Sequence, residues 1–190
     1  TAWIMQVGMN CRPGKPFEDP RVRQAFRLMI DREQLVNAIY SGHGVQGNDV
    51  GVFPQWDPGV AADLPAPQRD LEKAQALLKE AGKENMSVKL RVTQQIPGMV
   101  ESAQIIQQQA AEIGVTVEID HVADPAQFYT AAYYEAEMQI DYTNTLSMYA
   151  LAYYYLLSKA DYNSTGYSNP KVVALFDEAV ALPTEGYDAK

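Results

Sequence analysis

A single cysteine, Cys11, is all the thiol chemistry this chain of 190 residues carries. One thiol excludes an intrachain disulfide and a cysteine metal cluster. Histidine is almost as scarce. His43 and His121 stand far apart in sequence, and neither has metal-ligand spacing. His43, between Gly42 and Gly44, reads as an exposed turn residue, and His121 ends a predicted strand. Positive charge is in deficit, with 15 Lys and Arg against 24 Asp and Glu and a formal net charge of −9. A nucleic-acid partner is therefore not expected, since it calls for a basic patch. No apolar run approaches the roughly 18–20 residues that span a bilayer. No positively charged leader followed by an apolar core opens the chain. Catalytic signatures are missing as well: no Gly-x-Ser-x-Gly elbow, no P-loop, no Gly-x-Gly-x-x-Gly, no His-Glu-x-x-His. No catalytic residue, metal or cofactor is expected.

What is present suits one folded unit over residues 1–190. Hydrophobic residues make up 47% of the chain and charged residues only 21%, enough for a sizeable core and too little charge for disorder. Basic residues concentrate at Arg12, Lys15, Arg21, Arg23 and Arg27, opposed by Glu18 and Asp19, which reads as the solvated side of a helix. The acidic balance favours solubility and mildly attracts cationic solutes.

The clearest local signal is PFEDPRVRQAFRLMIDREQLVNAIYSGHG, Pro16 to Gly44. Asp19 reads as an N-cap and Pro20 as the first helical residue, because proline has no N–H to leave unsatisfied. Val22, Ala25, Phe26 and Met29 recur at spacings of three and four, one apolar helix face. Asp31 with Gln34 reads as a capping box for a second helix carrying Leu35, Ala38 and Ile39. Gly42 and Gly44 end it. Val45 to Gln68, with VFPQWDPG at its centre, has no sustained period and reads as a long irregular segment. Asp70 caps a helix over Leu71–Ala81.

The fold signal follows. Ser87–Thr93 alternates as a strand, Gly98–Ile113 is periodic as a helix, and Val115–Val122 alternates again. Such a β-α-β unit implies parallel strands with a right-handed crossover. Trp3–Met9 reads as a strand, Asp124-Pro125 starts a helix through roughly Glu135, and Glu137–Tyr142 forms another strand. Asn169-Pro170 caps a last helix. The fold class is α/β with a central, mostly parallel sheet flanked by helices.

Four of these segments, in order, resemble one family. PFEDPRVRQAF with IDREQLV, then RDLEKAQALLKEAG (Arg69–Gly82), AQIIQQQAAEIGVTVEI (Ala103–Ile119) and GYSNPKVVALFDEAV (Gly166–Val180) are similar to the bacterial extracellular solute-binding proteins of family 5, the oligopeptide and dipeptide receptors of ABC importers. The resemblance implies a periplasmic-binding-protein-like lobe of type II. It also implies a fragment, because members have two lobes and the N-terminal one is absent here. It implies a non-enzymatic, extracytoplasmic receptor, periplasmic or lipid-anchored. The partners implied are a peptide or other small solute, the membrane permease subunits, and the chain's own N-terminal lobe. A small α/β hydrolase, or a sensory or interaction domain reusing the lobe, are the competing classes.

Candidate site residues follow from where strands end. Ligands of open α/β sheets gather at the carboxyl ends of strands. Asp141 follows a predicted strand, and the resemblance implies a charge-assisted contact from it to a ligand ammonium. Capping of the next turn together with Asn144 is the competing role. The family's tryptophan before this motif and the Asp-Pro after it are missing, and sliding the alignment puts Met148-Tyr149 at the Asp-Pro position. Tyr142, Asn144, Met148 and Tyr149 belong to the same stretch. Gln94 and Gln95, with Pro97 and Met99, follow the first strand of the β-α-β unit and face a cleft by the same rule. Trp56 and Phe53, in the long irregular segment, are a stacking surface if exposed and an anchor if buried. Ten of the 12 tyrosines fall between Tyr129 and Tyr167. Tyrosine offers a flat apolar face and a polar tip. The bland account makes Tyr149, Tyr153 and Leu156 one packed helix face, with Tyr154 and Tyr155 half exposed.

Overall fold

The computed structural model describes residues 3–47, 49, 67–144 and 146–181, except the Met148 side chain. Among the described residues, four strands and eight α-helices run in the order β1 (Trp3–Met9), α1 (Pro20–Met29), α2 (Arg32–Tyr40), α3 (Leu71–Glu80), β2 (Ser87–Thr93), α4 (Met99–Ala111), β3 (Thr116–Val122), α5 (Pro125–Phe128), α6 (Ala131–Glu135), β4 (Met138–Asn144), α7 (Met148–Leu151) and α8 (Pro170–Ala181). A π-helical turn, Ala152–Leu156, continues α7.

The strands form one sheet in the order β1-β4-β2-β3. β2 and β3 are parallel from Ser87↔Thr116 to Thr93↔Val122. β4 runs parallel to β2 through Leu90↔Met138 and Arg91↔Gln139. β1 closes the other edge antiparallel to β4, from Trp3↔Asn144 to Met9↔Met138. The expected mostly parallel sheet is thus found, with one antiparallel edge strand.

Helix caps form as the sequence predicts. Asp19 Oδ1 accepts from the Arg21 N–H at 2.8 Å, Asp31 Oδ1 from Gln34 at 2.9 Å and Asp70 Oδ1 from Lys73 at 2.9 Å. The capping box at Asp31 differs in one respect. Gln34 does not reach back to the Asp31 N–H; Gln109 of α4 does, at 3.0 Å, and its amide donates to Gln34 Oε1 at 2.6 Å. A long-range side chain replaces the local one and ties α2 to α4. The basic cluster also differs from a solvated helix side. The Arg12 guanidinium, outside any helix, donates to Ser164 O at 2.7 Å and Asn163 O at 3.1 Å, and Arg23 donates to Phe17 O at 2.6 Å. These arginines fasten loops.

One sheet face carries the apolar core. Val88, Leu90 and Val92 of β2 and Met138 and Ile140 of β4 pack with α1, α3 and α4 through Val22, Phe26, Met29, Leu78, Met99 and Ile106. The alternate residues form a second, polar face: Gln139, Asp141 and Thr143 of β4 and Thr93 of β2, all buried. The tyrosine-rich segment after β3 covers them. Its expected continuous helix to Glu135 is broken in two, since Tyr129 leaves helical geometry (φ −88°, ψ 28°) and Thr130 is extended (φ −82°, ψ −172°). Phe128 is fully buried there, under the Arg91 guanidinium at 5.6 Å from its ring centre.

Gly98 fixes the start of α4. It holds φ +92°, and a Cβ there would lie 2.1 Å from Ile39 Cγ2. Only glycine lets the β2–α4 turn pass this close to α2.

Candidate functional site

Parallel strands β2 and β4 end on the same side of the sheet, and the turn Gln94–Gly98 and the loop after Asn144 lie there. Among the described residues β2 and β4 pair no further than Arg91↔Gln139, so the strands have parted by the time Asp141 and Thr93 are reached. Tyr142 lies on the apolar side of this opening, partly buried against the core. Gln95 Nε2 donates to its hydroxyl at 2.8 Å. Trp3, opposite Asn144 at the start of β1, meets the Tyr142 ring edge-on, with centroids 5.0 Å apart at 71°. Trp3 is 46% exposed. The result is a small wall of one indole, one phenol and one amide, held at the carboxyl ends of the sheet.

Asp141 takes a different place from the expected one. It lies inside β4, three residues before Asn144 ends the strand, and is 5% exposed. Strand alternation turns its side chain to the face opposite Tyr142. Its Oδ1 accepts from the Tyr129 hydroxyl at 2.9 Å and the Tyr142 N–H at 2.8 Å; its Oδ2 accepts from the Tyr133 hydroxyl at 2.5 Å. Burial, and then the neighbouring Asp141 charge, push both phenols well above the ordinary tyrosine range. Both therefore stay protonated and donate. Burial raises the Tyr155 phenol too, with the Asp141 charge adding to the effect. The turn-capping role paired with Asn144 is not what the carboxylate does; it caps the next backbone N–H of its own strand.

The remaining candidates divide. Asn144 is exposed at the strand end. Gln94 is exposed but turns toward β3, donating to Ala123 O at 3.3 Å. Pro97 is exposed, whereas Met99 is fully buried in the core and does not face a cleft. Met148 starts α7. Tyr149 is 44% exposed and stacks on Phe176 of α8 at 5.2 Å and on Tyr153 at 6.3 Å. The packed face foreseen through Tyr149, Tyr153 and Leu156 is instead Leu151 and Ala152, with Tyr149 and Tyr153 exposed. Trp56 and Phe53 lie outside the described residues.

Trp3, Tyr129 and Tyr133 were not singled out by the sequence. For the two tyrosines part of the signal was available; for Trp3 none was. Strict alternation in MQIDYTN places Asp141 and Tyr142 on opposite faces, and a buried aspartate then calls for donors from the tyrosine-rich segment beside it. Among the described residues, no group of three His, Cys, Asp or Glu is placed to hold a metal ion, and no helix is long and apolar enough to cross a membrane.

Comparison with known proteins agrees with this architecture. The dipeptide-binding protein of Escherichia coli K12 is 34% identical over 110 residues, covering 55% of this chain and 20% of that protein. The glutathione-binding protein GsiB of Pectobacterium atrosepticum is 30% identical over 190 residues, covering 94% of this chain and 36% of that protein. This chain thus spans about a fifth to a third of the length of these relatives. Among solved structures, the periplasmic binding protein DppA of Helicobacter pylori, in complex with the peptide STSA, superposes with a TM-score of 0.84 at 22% identity, over 98% of this chain and 37% of that one. AgaA of Agrobacterium tumefaciens R10, solved with agropinic acid, gives 0.82 at 24% identity, over 99% and 40%. These two likenesses establish the fold, that of a type II periplasmic binding protein. The family model for the middle part of bacterial extracellular solute-binding proteins, family 5, matches residues 1–166. With sequence motifs, sheet order and this match in agreement, the chain belongs to the family 5 bacterial extracellular solute-binding proteins.

Proposed function

We propose that this chain is one lobe of a two-lobed, extracytoplasmic receptor of an ABC importer. The receptor binds a peptide or a related small solute between its lobes and presents it to the permease, without catalysis. In receptors of this kind two lobes close around the solute by hinge motion. The observation that carries the reading is the wall of Trp3, Gln95 and Tyr142 at the carboxyl ends of the parallel strands, the place where open α/β sheets take ligands. Asn144 and Tyr149 extend that wall, with Met148 and Trp56 as further contributors from their sequence positions; Gln94, turned toward β3, joins only by a change of rotamer. The other lobe supplies the opposite wall and the permease docks on the closed form.

Thermal unfolding of the full-length polypeptide carrying this chain tests it. The panel is dipeptides, tripeptides, oligosaccharides and nickel complexes. A solute that binds only the native state raises the midpoint with concentration, by about 2.7 kcal/mol of stability at a hundredfold excess over Kd. A saturable rise with one class is the expected result and names the solute. A midpoint unmoved by every member overturns the receptor reading in favour of a sensory or interaction role.

A further inference from the structure

The buried position of Asp141 changes what this wall can recognise. The turn after β2, residues 94–98, reads Gln-Gln-Ile-Pro-Gly, and the stretch from the end of β4 into α7, residues 142–149, reads Tyr-Thr-Asn-Thr-Leu-Ser-Met-Tyr. Neither holds an acid, a lysine, an arginine or a histidine, and Trp3 adds none. Asp141 is the nearest carboxylate in sequence, and its oxygens are spent on two phenols and a backbone amide. Glu101, exposed in the first turn of α4, follows the 94–98 turn by three residues and stands outside both stretches. Asp124, beyond the far strand β3, accepts from the Ala126 N–H and caps α5.

We propose that this wall takes an uncharged ligand surface, one with amide or hydroxyl groups on a flat apolar face, and that Asp141 is a positioning residue for Tyr142 rather than an ionic partner. The inference rests on the receptor reading above. Its chemistry is as follows. Gln95 spends one N–H on the Tyr142 hydroxyl. That leaves its other N–H and its carbonyl oxygen to pair with a neutral donor-acceptor group, and leaves the Tyr142 hydroxyl its own proton to donate. Trp3 and Tyr142 present aromatic surface for stacking. A ligand charge pressed against this wall loses water and gains no counter-charge, so charged ends are disfavoured here. Asp141 acts one step behind. Where β2 and β4 part, it supplies the acceptor for the Tyr142 N–H, and Tyr129 and Tyr133 fix the carboxylate. Tyr142, and through it Gln95, are thereby held in place. A neutral oligosaccharide and the uncharged backbone of a peptide share this chemistry.

The test uses the full-length polypeptide, calorimetry, and three probes: trialanine, N-acetyl-trialanine amide and cellobiose. Asp141→Ala and Gln95→Ala are made singly and together, with Tyr129→Phe in place of Asp141→Ala if the latter fails to fold. The expected result is that blocked and free trialanine bind within about threefold of each other, or that cellobiose binds. Asp141→Ala then weakens whichever probes bind by a common factor, about tenfold. The double variant loses less than the product of the two single losses, because both act through Tyr142. A preference of about a hundredfold for the free ammonium, erased by Asp141→Ala, overturns the proposal. Failure of the receptor reading is separate: it shows as no shift across the whole thermal panel. Exchange of the Tyr142 amide then decides the role of Asp141. A rise of about a hundredfold in Asp141→Ala or Tyr129→Phe, with β2–β3 amides unchanged, supports positioning. An unchanged Tyr142 rate overturns it.

Discussion

The two faces of the sheet are built on opposite principles. On one, Val88, Leu90, Val92 and Ile140 meet α1, α3 and α4 through apolar contact alone. On the other, Gln139, Asp141 and Thr143 lie equally deep. Asp141 is satisfied by two phenols and a backbone amide, Thr143 donates to Asn144 O at 3.3 Å, and Thr93 Oγ1 of β2 is buried without a partner among the described residues. Apolar contact is non-directional and roughly proportional to area, so it tolerates small shifts. A buried carboxylate is tolerated only with its donors in place. The first face therefore supplies stability and the second supplies position. It is the polar face that holds the backbone at Tyr142, beside the candidate binding wall.

The largest effects test the apolar face. Leu90→Ala removes a fully buried side chain between α4 and the sheet. It should destabilise by roughly 2–5 kcal/mol in urea unfolding, with the slope unchanged. A loss below about 1 kcal/mol would mean that the face is not the main source of stability. Next comes the polar face. Asp141→Ala leaves the buried Tyr133 hydroxyl and the Tyr142 N–H without their acceptor, which costs roughly 3 kcal/mol. The comparison sharpens with Asp141→Leu, Tyr129→Phe and Tyr133→Phe combined. Removing the acceptor and both phenol donors should recover the part of that loss that comes from the phenols, while the Tyr142 N–H stays without its acceptor. If the triple variant is as unstable as Asp141→Ala, the polar face contributes net stability and the division between the faces fails.

The same contrast explains what was legible in the sequence. The apolar face was written in periodicity: Val22, Ala25, Phe26 and Met29 on α1, and the alternation of β2 and β3, led directly to element type, order and parallel pairing. Caps at Asp19, Asp31 and Asp70 were local and so were readable. The misses are long-range polar contacts, which no period announces. Gln109 lies on α4, 78 residues from the Asp31 N–H it accepts. The Tyr129 and Tyr133 hydroxyls reach Asp141 across a break in a helix that looked continuous. At the candidate site, the strand-end rule named Gln95, Tyr142 and Asn144, and the structure brings Gln95 and Tyr142 into contact there. It read Asp141 as a strand-end ligand contact although strand alternation turns it to the buried polar face, and it passed over Trp3, which reaches the wall only because β1 is the antiparallel edge.

Smaller effects probe the polar contacts one at a time. Tyr133→Phe removes a charge-assisted donor to Asp141 and should cost about 1.5–3 kcal/mol at neutral pH. Its pH dependence has a definite sign. The folded phenol is raised above its ordinary 10.0, chiefly by burial. Its contribution is fully present below pH 10.0 and is lost as pH rises beyond that value, where the unfolded chain gives up the proton first. The variant should therefore lose less stability than the parent between pH 10 and 11. Gln109→Ala comes lower, at about 1 kcal/mol, since it breaks the Asp31 and Gln34 contacts that tie α2 to α4. A loss no larger than that of an exposed α4 glutamine would return the Asp31 cap to a purely local device.

The smallest effect is at the surface, where charge is neither apolar nor buried. Asp19 is held at about 2, below its ordinary 3.8, first by its side-chain hydrogen bond to Arg21 and then by the Arg21 backbone N–H. The sign is opposite to that of the tyrosines. A lowered carboxylate stabilises the fold above pH 3.8, and that contribution disappears as pH falls through about 2. Arg21→Gln should move the Asp19 titration back toward 3.8, read from its carboxyl carbon resonance, while the backbone cap remains. The unfolding midpoint at pH 7 should barely change, because exposed pairs are screened by solvent. If that variant instead destabilised the protein as much as Tyr133→Phe, the Arg21 bridge to Glu80 O at 2.9 Å would be the reason. It joins α1 to the end of α3 behind the apolar face. Stability would then depend on a directional contact there too, and the contrast between the two faces would be one of degree.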